Sequence, residues 1–284
     1  MARTGFHAGE VEVQRRAGVR AVAESRAGML HPADLHDGLI RFLAERTFAP
    51  LAGRDGEGRL WVTALEGPEG FLEAGSDWVR VHAVPRKGDP LHGLPTGQTV
   101  GLIAIEFASR RRFRLNGTLV GTGDDWLEIA LDQAFGNCPK YIHPRALQLV
   151  GESAETAAHS ESSSALSPEQ EDLLRAADTF FLGTAHPDRG NDVSHKGGPA
   201  GFVELRDGAL WWPDLVGNDM FNSFGNLAVD GTAALFFPDF ATGRTLHLSG
   251  RATVEWEAAT DTGRAVRFVV EAVRWGVPLL SREA

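Results

Sequence analysis

The run Asp192-Val193-Ser194-His195-Lys196-Gly197-Gly198 places a hydroxyl, an imidazole and an ammonium beside two glycines. Glycine lets a backbone come close to a ligand, and charge-assisted donors with exposed backbone N–H groups suit an anion such as a phosphate. The same residues also fit a solvated lysine in a turn. Downstream, Gly217-Asn218-Asp219-Met220-Phe221-Asn222-Ser223-Phe224-Gly225-Asn226 carries three Asn, one Ser and two Gly in ten residues. That is more hydrogen-bonding capacity than turns need, although Asn and Gly are also ordinary turn residues. Phe135-Gly136-Asn137-Cys138-Pro139-Lys140-Tyr141-Ile142 holds the single cysteine. A lone Cys without metal partners at suitable spacing is more often buried and inert than nucleophilic. The ten histidines form no H-x-x-x-H or H-E-x-x-H pattern, so no dedicated metal site is expected. His195 and His247 are candidates for ligation or acid–base work, with satisfied polar residues as the default reading. Gly121-Thr122-Gly123 does not complete G-x-G-x-x-G, because Trp126 stands where the third Gly belongs. A dinucleotide fold is rejected on that ground and for want of strand–helix alternation.

The elements that must position these residues come in two copies. Gly67-Pro68-Glu69-Gly70-Phe71 recurs as Gly198-Pro199-Ala200-Gly201-Phe202, an offset of 198 − 67 = 131. Phe107-Ala108-Ser109-x-Arg111-x-x-x-Leu115-x-Gly117 recurs as Phe240-Ala241-Thr242-x-Arg244-x-x-x-Leu248-x-Gly250, an offset of 240 − 107 = 133. Solenoid units run to roughly 20–50 residues, so this is a small domain duplicated. Aligned on Gly67 and Gly198, Thr63, Ala64 and Leu65 match Ser194, His195 and Lys196. Copy one keeps the turn and lacks the ammonium. It also has Val84 to Pro90 where copy two has the Asn-rich run.

Residues 1–36 read as a polar, irregular extension, 37–150 as copy one, 151–166 as a Ser-rich linker and 167–284 as copy two. Ser167-Pro168-Glu169-Gln170 offers a capping box with Pro at the first helical position, opening a helix to about Ala177. Leu35 to Ala44 is its counterpart. Thr179–Thr184, Val100–Phe107 and Ala233–Phe237 read as strands. Thr245 to Ser249 alternates, with Leu246 and Leu248 on one face; in copy one Phe113 and Leu115 face in while Arg112, Arg114 and Asn116 face out. Of the adjacent Trp211 and Trp212, one points inward. Asn116-Gly117-Thr118 reads as a strand end and turn. Short strands, frequent Gly and one early helix per copy predict a mainly β chain of two tandem small antiparallel barrels. A barrel this small fills its own interior, so a cofactor belongs in the groove between copies.

The 284 residues suit two domains, and a net charge of −10 argues against unspecific nucleic-acid binding. No apolar run approaches the roughly 20 residues of a membrane span. No secretory leader is legible, and one cysteine allows no internal disulfide, so a cytoplasmic location is expected.

The chain resembles the pyridoxamine 5′-phosphate oxidase-like, FMN-binding split-barrel family, and more narrowly its tandem-domain branch, sometimes fused to ferredoxin-reductase-type modules. The motifs are Phe6-His7-x-Gly9-Glu10-x-x-x-Gln14, Gly67-Pro68-x-Gly70-Phe71, Arg110 to Gly117 and Gly136-Asn137-Cys138-Pro139-Lys140-Tyr141-Ile142. Copy two adds Asp192 to Gly197, Gly201-Phe202, Gly217-Asn218 and Asn222-Ser223-x-Gly225-Asn226. The resemblance implies six-stranded split barrels working as a pair, here an internal pseudo-dimer, with FMN between them. One groove takes its phosphate-side strand from copy two and closing contacts from Asn137, Lys140 and Tyr141. The other reverses the roles and has decayed, which implies one flavin per chain. By resemblance the cofactor-binding set is Ser194, His195, Lys196, Gly197, Asn218, Asn222, Ser223, Asn226 and Arg244 with those three copy-one residues. Related sequences often carry a basic residue after the Gly-Asn pair, where this chain has Asp219. Arg111, Arg112 and Arg114 could supply the missing charge or form a solvated strand face.

The leading expectation is an FMN-dependent oxidoreductase acting on an unidentified small molecule, with a reductase or other electron donor as a partner and no assigned catalytic residue. Oxidation of pyridoxamine phosphate is not expected, since no second phosphate site is legible. Alternatives on the same fold are a non-catalytic flavin- or haem-binding protein, with His195 or His247 as an axial ligand, a deazaflavin-dependent reductase, and an interaction partner without cofactor. Pairing of two chains into a homodimer is left open.

Overall fold

The computed structural model describes residues 5–30, 32–149, 162–163, 165–217, 219–276 and 278–283. Most of the Ser-rich linker and Asn218 therefore lie outside the described residues. An arm of two short helices, α1 (Ala8–Arg16) and α2 (Arg20–Glu24), leads to α3 (Asp37–Ala44). Seven strands follow: β1 (Phe48–Arg54), β2 (Leu60–Glu66), β3 (Leu72–Ala74), β4 (Trp78–Val81), β5 (Thr99–Glu106), β6 (Arg111–Thr122) and β7 (Leu127–Gly136). The short strands β8 (Leu147–Leu149) and β9 (Ser162–Ser163) precede α4 (Pro168–Ala176). The second half continues with β10 (Thr179–His186), β11 (Gly190–Gly197), β12 (Glu204–Arg206), β13 (Ala209–Pro213) and α5 (Asn222–Val229). It ends with β14 (Thr232–Pro238), β15 (Thr245–Trp256), β16 (Arg264–Trp275) and β17 (Ser281–Glu283).

The first sheet runs β2-β1-β5-β6-β7-β4-β3 and the second β11-β10-β14-β15-β16-β13-β12. Taken in chain order within each half, these are the same antiparallel topology. The chain is thus mostly β, with two tandem split barrels. Each of these paths has seven strands rather than six, the seventh being the three-residue edge strand β3 or β12, and β9 adds an eighth strand to the second sheet by pairing with β16. Gly117 and Gly250 of the repeated motif sit at bulges on β6 and β15. A Cβ there would lie 2.1 Å from the Ala130 carbonyl oxygen and 2.0 Å from that of Val269, so the partner strand excludes any side chain. Asn116-Gly117-Thr118 is accordingly mid-strand, not a strand end and turn.

Sequence chemistry accounts for the helices. α4 carries the expected box, with Ser167 capping the Gln170 N–H and Gln170 returning to Ser167 N. The extension is helical rather than irregular: His7 and Glu10 form a second capping box on α1. The Asn-rich run is not a loop throughout, since Asn222 to Asn226 belong to α5, which has no counterpart in the first barrel.

Each barrel has its own apolar core, and a third cluster lies between them. Phe48, Val62, Ile103 and Phe107 from the first barrel meet Phe181, Val193, Phe236 and Phe240 from the second. Small residues let the sheets approach: a Cβ on Gly101 would lie 2.8 Å from Asp192 Cα, and one on Gly183 would lie 2.7 Å from Val62 Cγ2. Trp211 and Trp212 are both buried, Trp212 in the second barrel's core and Trp211 with its Nε1 donating to Glu255 at 2.9 Å. Among the described residues no helix is long and apolar enough to cross a membrane.

Candidate functional site

Alternation on β6 turns Phe113 and Leu115 into the first barrel and sends Arg112, Arg114 and Asn116 toward the second. There they meet β11. Arg112 Nη1 donates to His195 Nδ1 at 2.7 Å, and its Nη2 donates to the Cys138 carbonyl at 2.8 Å. Arg114 Nη1 donates to Asp192 Oδ2 at 2.7 Å, and Asn116 Nδ2 donates to the other oxygen at 3.1 Å. Both arginines are buried, at 8 % and 3 % exposure, so this is not a solvated strand face. Arg111 points elsewhere, its guanidinium 4.9 Å from the Phe42 ring centroid.

Arg112, Arg114 and Lys196 line a cleft with the apolar wall Phe202 and Trp212, and with Asp214, Lys140 and Tyr141 at its margin. The segment after β7 crosses the end of β11 to reach it. A Cβ at Gly197 would lie 1.9 Å from the Tyr141 carbonyl oxygen, which is why glycine stands there. Tyr141 adopts a left-handed backbone, φ 64°, and its Oη donates to the Val216 carbonyl at 2.7 Å across the cleft margin. Such conformations in non-glycine residues cluster at binding sites.

The electrostatics favour an anion. Burial, together with Arg114 and Arg112, pushes the Lys196 ammonium down to about 8, against the pull of Asp214 and Asp192. Burial and Arg114 push Arg112 down to about 9. Burial raises the Asp214 carboxyl, although Arg264 holds it at 2.9 Å. Among the described residues the Nε donors of Arg112 and Arg114 are buried without a hydrogen-bond partner, and so are Asn137 Oδ1 and His195 Nε2. Buried donors without acceptors are costly unless a ligand or water satisfies them.

His195 is neutral here. A guanidinium can only donate, so Nδ1 accepts and the ring hydrogen resides on Nε2. Burial, then Arg112, lowers its pKa well below the usual imidazole range, and the ring packs edge-on to Phe107 and Phe181. It is no source of protons near neutrality. His247 lies in the related groove, also buried, with Nδ1 donating to the Val62 carbonyl at 2.8 Å.

The nominated residues divide. His195, Lys196, Gly197, Lys140 and Tyr141 line the cleft, and Asn137 adjoins it through its N–H to the Arg112 carbonyl at 3.4 Å. Ser194 and Ser223 instead face each other, Oγ to Oγ 3.1 Å, beneath α5. Asn222 Nδ2 donates to Glu10 Oε1. Asn226 Oδ1 lies 3.1 Å from His7 Nε2, and its Nδ2 donates to Thr184 Oγ1 at 3.0 Å. The arm therefore takes up these two asparagines. Arg244 belongs to the outer surface, bonded to Glu169 of α4. Asn218 lies outside the described residues. Asp192, Asp214, Trp212 and the arm residues were not among the nominated set; only the Phe6–Gln14 motif signalled the arm.

The groove related by the repeat is chemically opposite. Leu65 stands for Lys196, Thr245 and His247 for Arg112 and Arg114, and Glu66 for Gly197. It is lined by Glu66, Asp89, Asp124 and Asp125 against Arg86. The C-terminal segment crosses it, with the Leu280 and Ser281 N–H groups each donating to the Glu66 carboxylate at 2.8 Å.

Residues 166–273 match the family model described as Pyridoxamine 5′-phosphate oxidase. Among solved structures, a putative pyridoxamine 5′-phosphate oxidase from Lactobacillus delbrueckii is similar at 18% identity, covering 39% of this chain and 94% of that one, with a TM-score of 0.33. The haem storage protein HutZ from Vibrio cholerae is similar at 12% identity, covering 41% and 99%, TM-score 0.31. An FAD-binding protein from Mycobacterium smegmatis is similar at 13%, covering 42% and 97%, TM-score 0.27. No curated protein matches the chain.

Proposed function

We propose that this chain, a pyridoxamine 5′-phosphate oxidase-like split-barrel protein, binds one FMN in the cleft between its barrels and acts as an oxidoreductase on a small molecule. The observation that carries this reading is the convergence of Arg112, Arg114 and Lys196 from two barrels, with the Nε donors of both arginines buried and, among the described residues, unpartnered. An anionic group with several acceptor oxygens fits that donor set. The repeat-related groove, acidic and crossed by the C-terminal segment, does not, which supports one cofactor rather than two.

When bound, the flavin supplies the electron chemistry. The residues' own parts are binding and orientation. Lys196 and Arg112 hold the anionic end. Phe202 and Trp212 offer an apolar wall to a planar group, and Tyr141 with Val216 closes the margin. His195 orients Arg112 by accepting its N–H. His195 is neutral and delivers no proton near neutrality; the Lys196 ammonium, lowered to about 8, is the cleft group whose proton is most easily lost.

The test is the absorbance of protein purified without added cofactor, then the mass of whatever heat releases. A two-banded flavin spectrum with released FMN supports the reading. A single intense haem band, or a colourless protein that takes up no added FMN, counts against it.

A further inference from the structure

The arm before the first barrel is fastened to the segment bordering the cleft. Gln14 Nε2 donates to the Met220 carbonyl at 2.9 Å, and Arg26 Nη1 donates to Asp219 Oδ2 at 2.9 Å. Helices α1 and α5 cross at two glycines: a Cβ on Gly9 would lie 2.3 Å from the Gly225 carbonyl oxygen, and one on Gly225 would lie 2.3 Å from Glu10 Cγ. Leu30 of the arm packs with Phe135 of the first barrel and Met220 of the second, so the arm touches both barrels at once.

Asp219 bears on the cleft through its charge. It is near enough to the cleft residue Asp214 to help raise that carboxyl. Unpaired, it would place a negative charge beside a site built for an anion. Arg26 cancels it, using one nitrogen of its guanidinium.

We propose that the arm is a strap coupled to the cleft: its seating on α5 and Asp219 raises the affinity for the anionic cofactor, with Arg26 as a positioning residue. The inference rests on the anion-binding reading above. Linkage makes the coupling mutual, so the bound anion also holds the arm down.

The experiment titrates FMN into the full-length wild type, Arg26→Ala, Asp219→Asn, the double variant and Gly9→Ala. Proteolysis of α1 is followed with and without FMN. The Arg26–Asp219 pair is partly exposed, so Arg26→Ala is expected to weaken FMN by about two- to tenfold. Asp219→Asn in that background restores affinity, which a merely structural role for Arg26 would not do. Gly9→Ala unseats α1, lowers affinity and speeds cleavage, whereas FMN slows cleavage of the wild type. Wild-type binding that is indifferent to all variants overturns the strap and leaves the functional reading standing. Tighter binding by Gly9→Ala overturns it too and makes the arm a plug. A wild type that takes up no FMN removes both readings.

Discussion

Arg112 on β6 of the first barrel and His195 on β11 of the second meet at 2.7 Å, guanidinium to imidazole, in the buried seam between the repeats. The contact fixes both partners: the arginine remains a cation without a carboxylate of its own, and the histidine remains neutral. An anion arriving in the cleft would meet the charge that this pair leaves uncompensated.

Arg112→Met is expected to separate binding from stability. It removes a buried cation, which favours the fold, and strands the His195 and Cys138 acceptors, which opposes it. Stability should move by less than about 1.5 kcal/mol while FMN affinity falls at least about tenfold. Thermal melts beside FMN titrations check both halves.

Lys196 gives a pH dependence with a definite sign. The ammonium form holds the anion, and its pKa in the free protein is about 8. FMN affinity should decline as pH rises through that value. Lys196→Met should lose about ten- to a hundredfold near neutrality and show no corresponding step. The same burial makes the charged lysine unfavourable in the fold below about pH 8, an effect relieved as pH rises toward its unfolded value. Fluorescence titrations across neutral to alkaline pH read the affinity directly.

Glu10 sets the pH range of the arm. Burial first, and Asp192 next among the raising influences, lift its carboxyl to about 7 against hydrogen bonds from the His7 N–H and Asn222 and the charge of Arg189. His7 itself is lowered to about 4, by burial and His186. A raised carboxyl favours the docked, protonated form. That contribution is full below its usual value and lost as pH rises through 7. Between its usual value and 7, opening of the arm should increase by up to about tenfold per pH unit, and it should level off above 7. Hydrogen exchange on α1 should show this rise, and Glu10→Gln should flatten it.

Gly197→Ala tests the crossing of the first barrel's tail. The new Cβ meets the Tyr141 carbonyl, and backbone cannot yield as a side chain would. A loss of about 1–3 kcal/mol is expected, with Tyr141 freed from Val216 and weaker FMN binding. Chemical denaturation and the fluorescence of Tyr141 and nearby Trp212 report it.

The repeat was legible because a bulge and a turn demand the same glycines twice: Gly117 and Gly250 meet the same steric wall. The α4 cap was legible because Ser, Pro and Gln each have one positional meaning. The contacts of Asn222 and Asn226 were not legible, because asparagine serves turns, ligands and packed helices alike, and the pairing with the arm's Glu10 and His7 is not encoded locally. Arg244 was no easier to place. It matches Arg111 of β6 in the repeat but stands just before β15, and its partner, Glu169 on α4, is local to one copy. The pairing of Arg112 with His195 was invisible because register between barrels depends on the shared core of Phe107, Phe181 and Val193, which no local pattern encodes.

Whether both barrels hold one flavin at Arg112 and Lys196 is decided by an FMN titration with stoichiometry on the wild type and on Arg112→Met/Lys196→Met. The wild type should take up one FMN per chain, and the double variant none while its melt stays cooperative. Two FMN per chain, or uptake that survives the double substitution, would refute the proposed site.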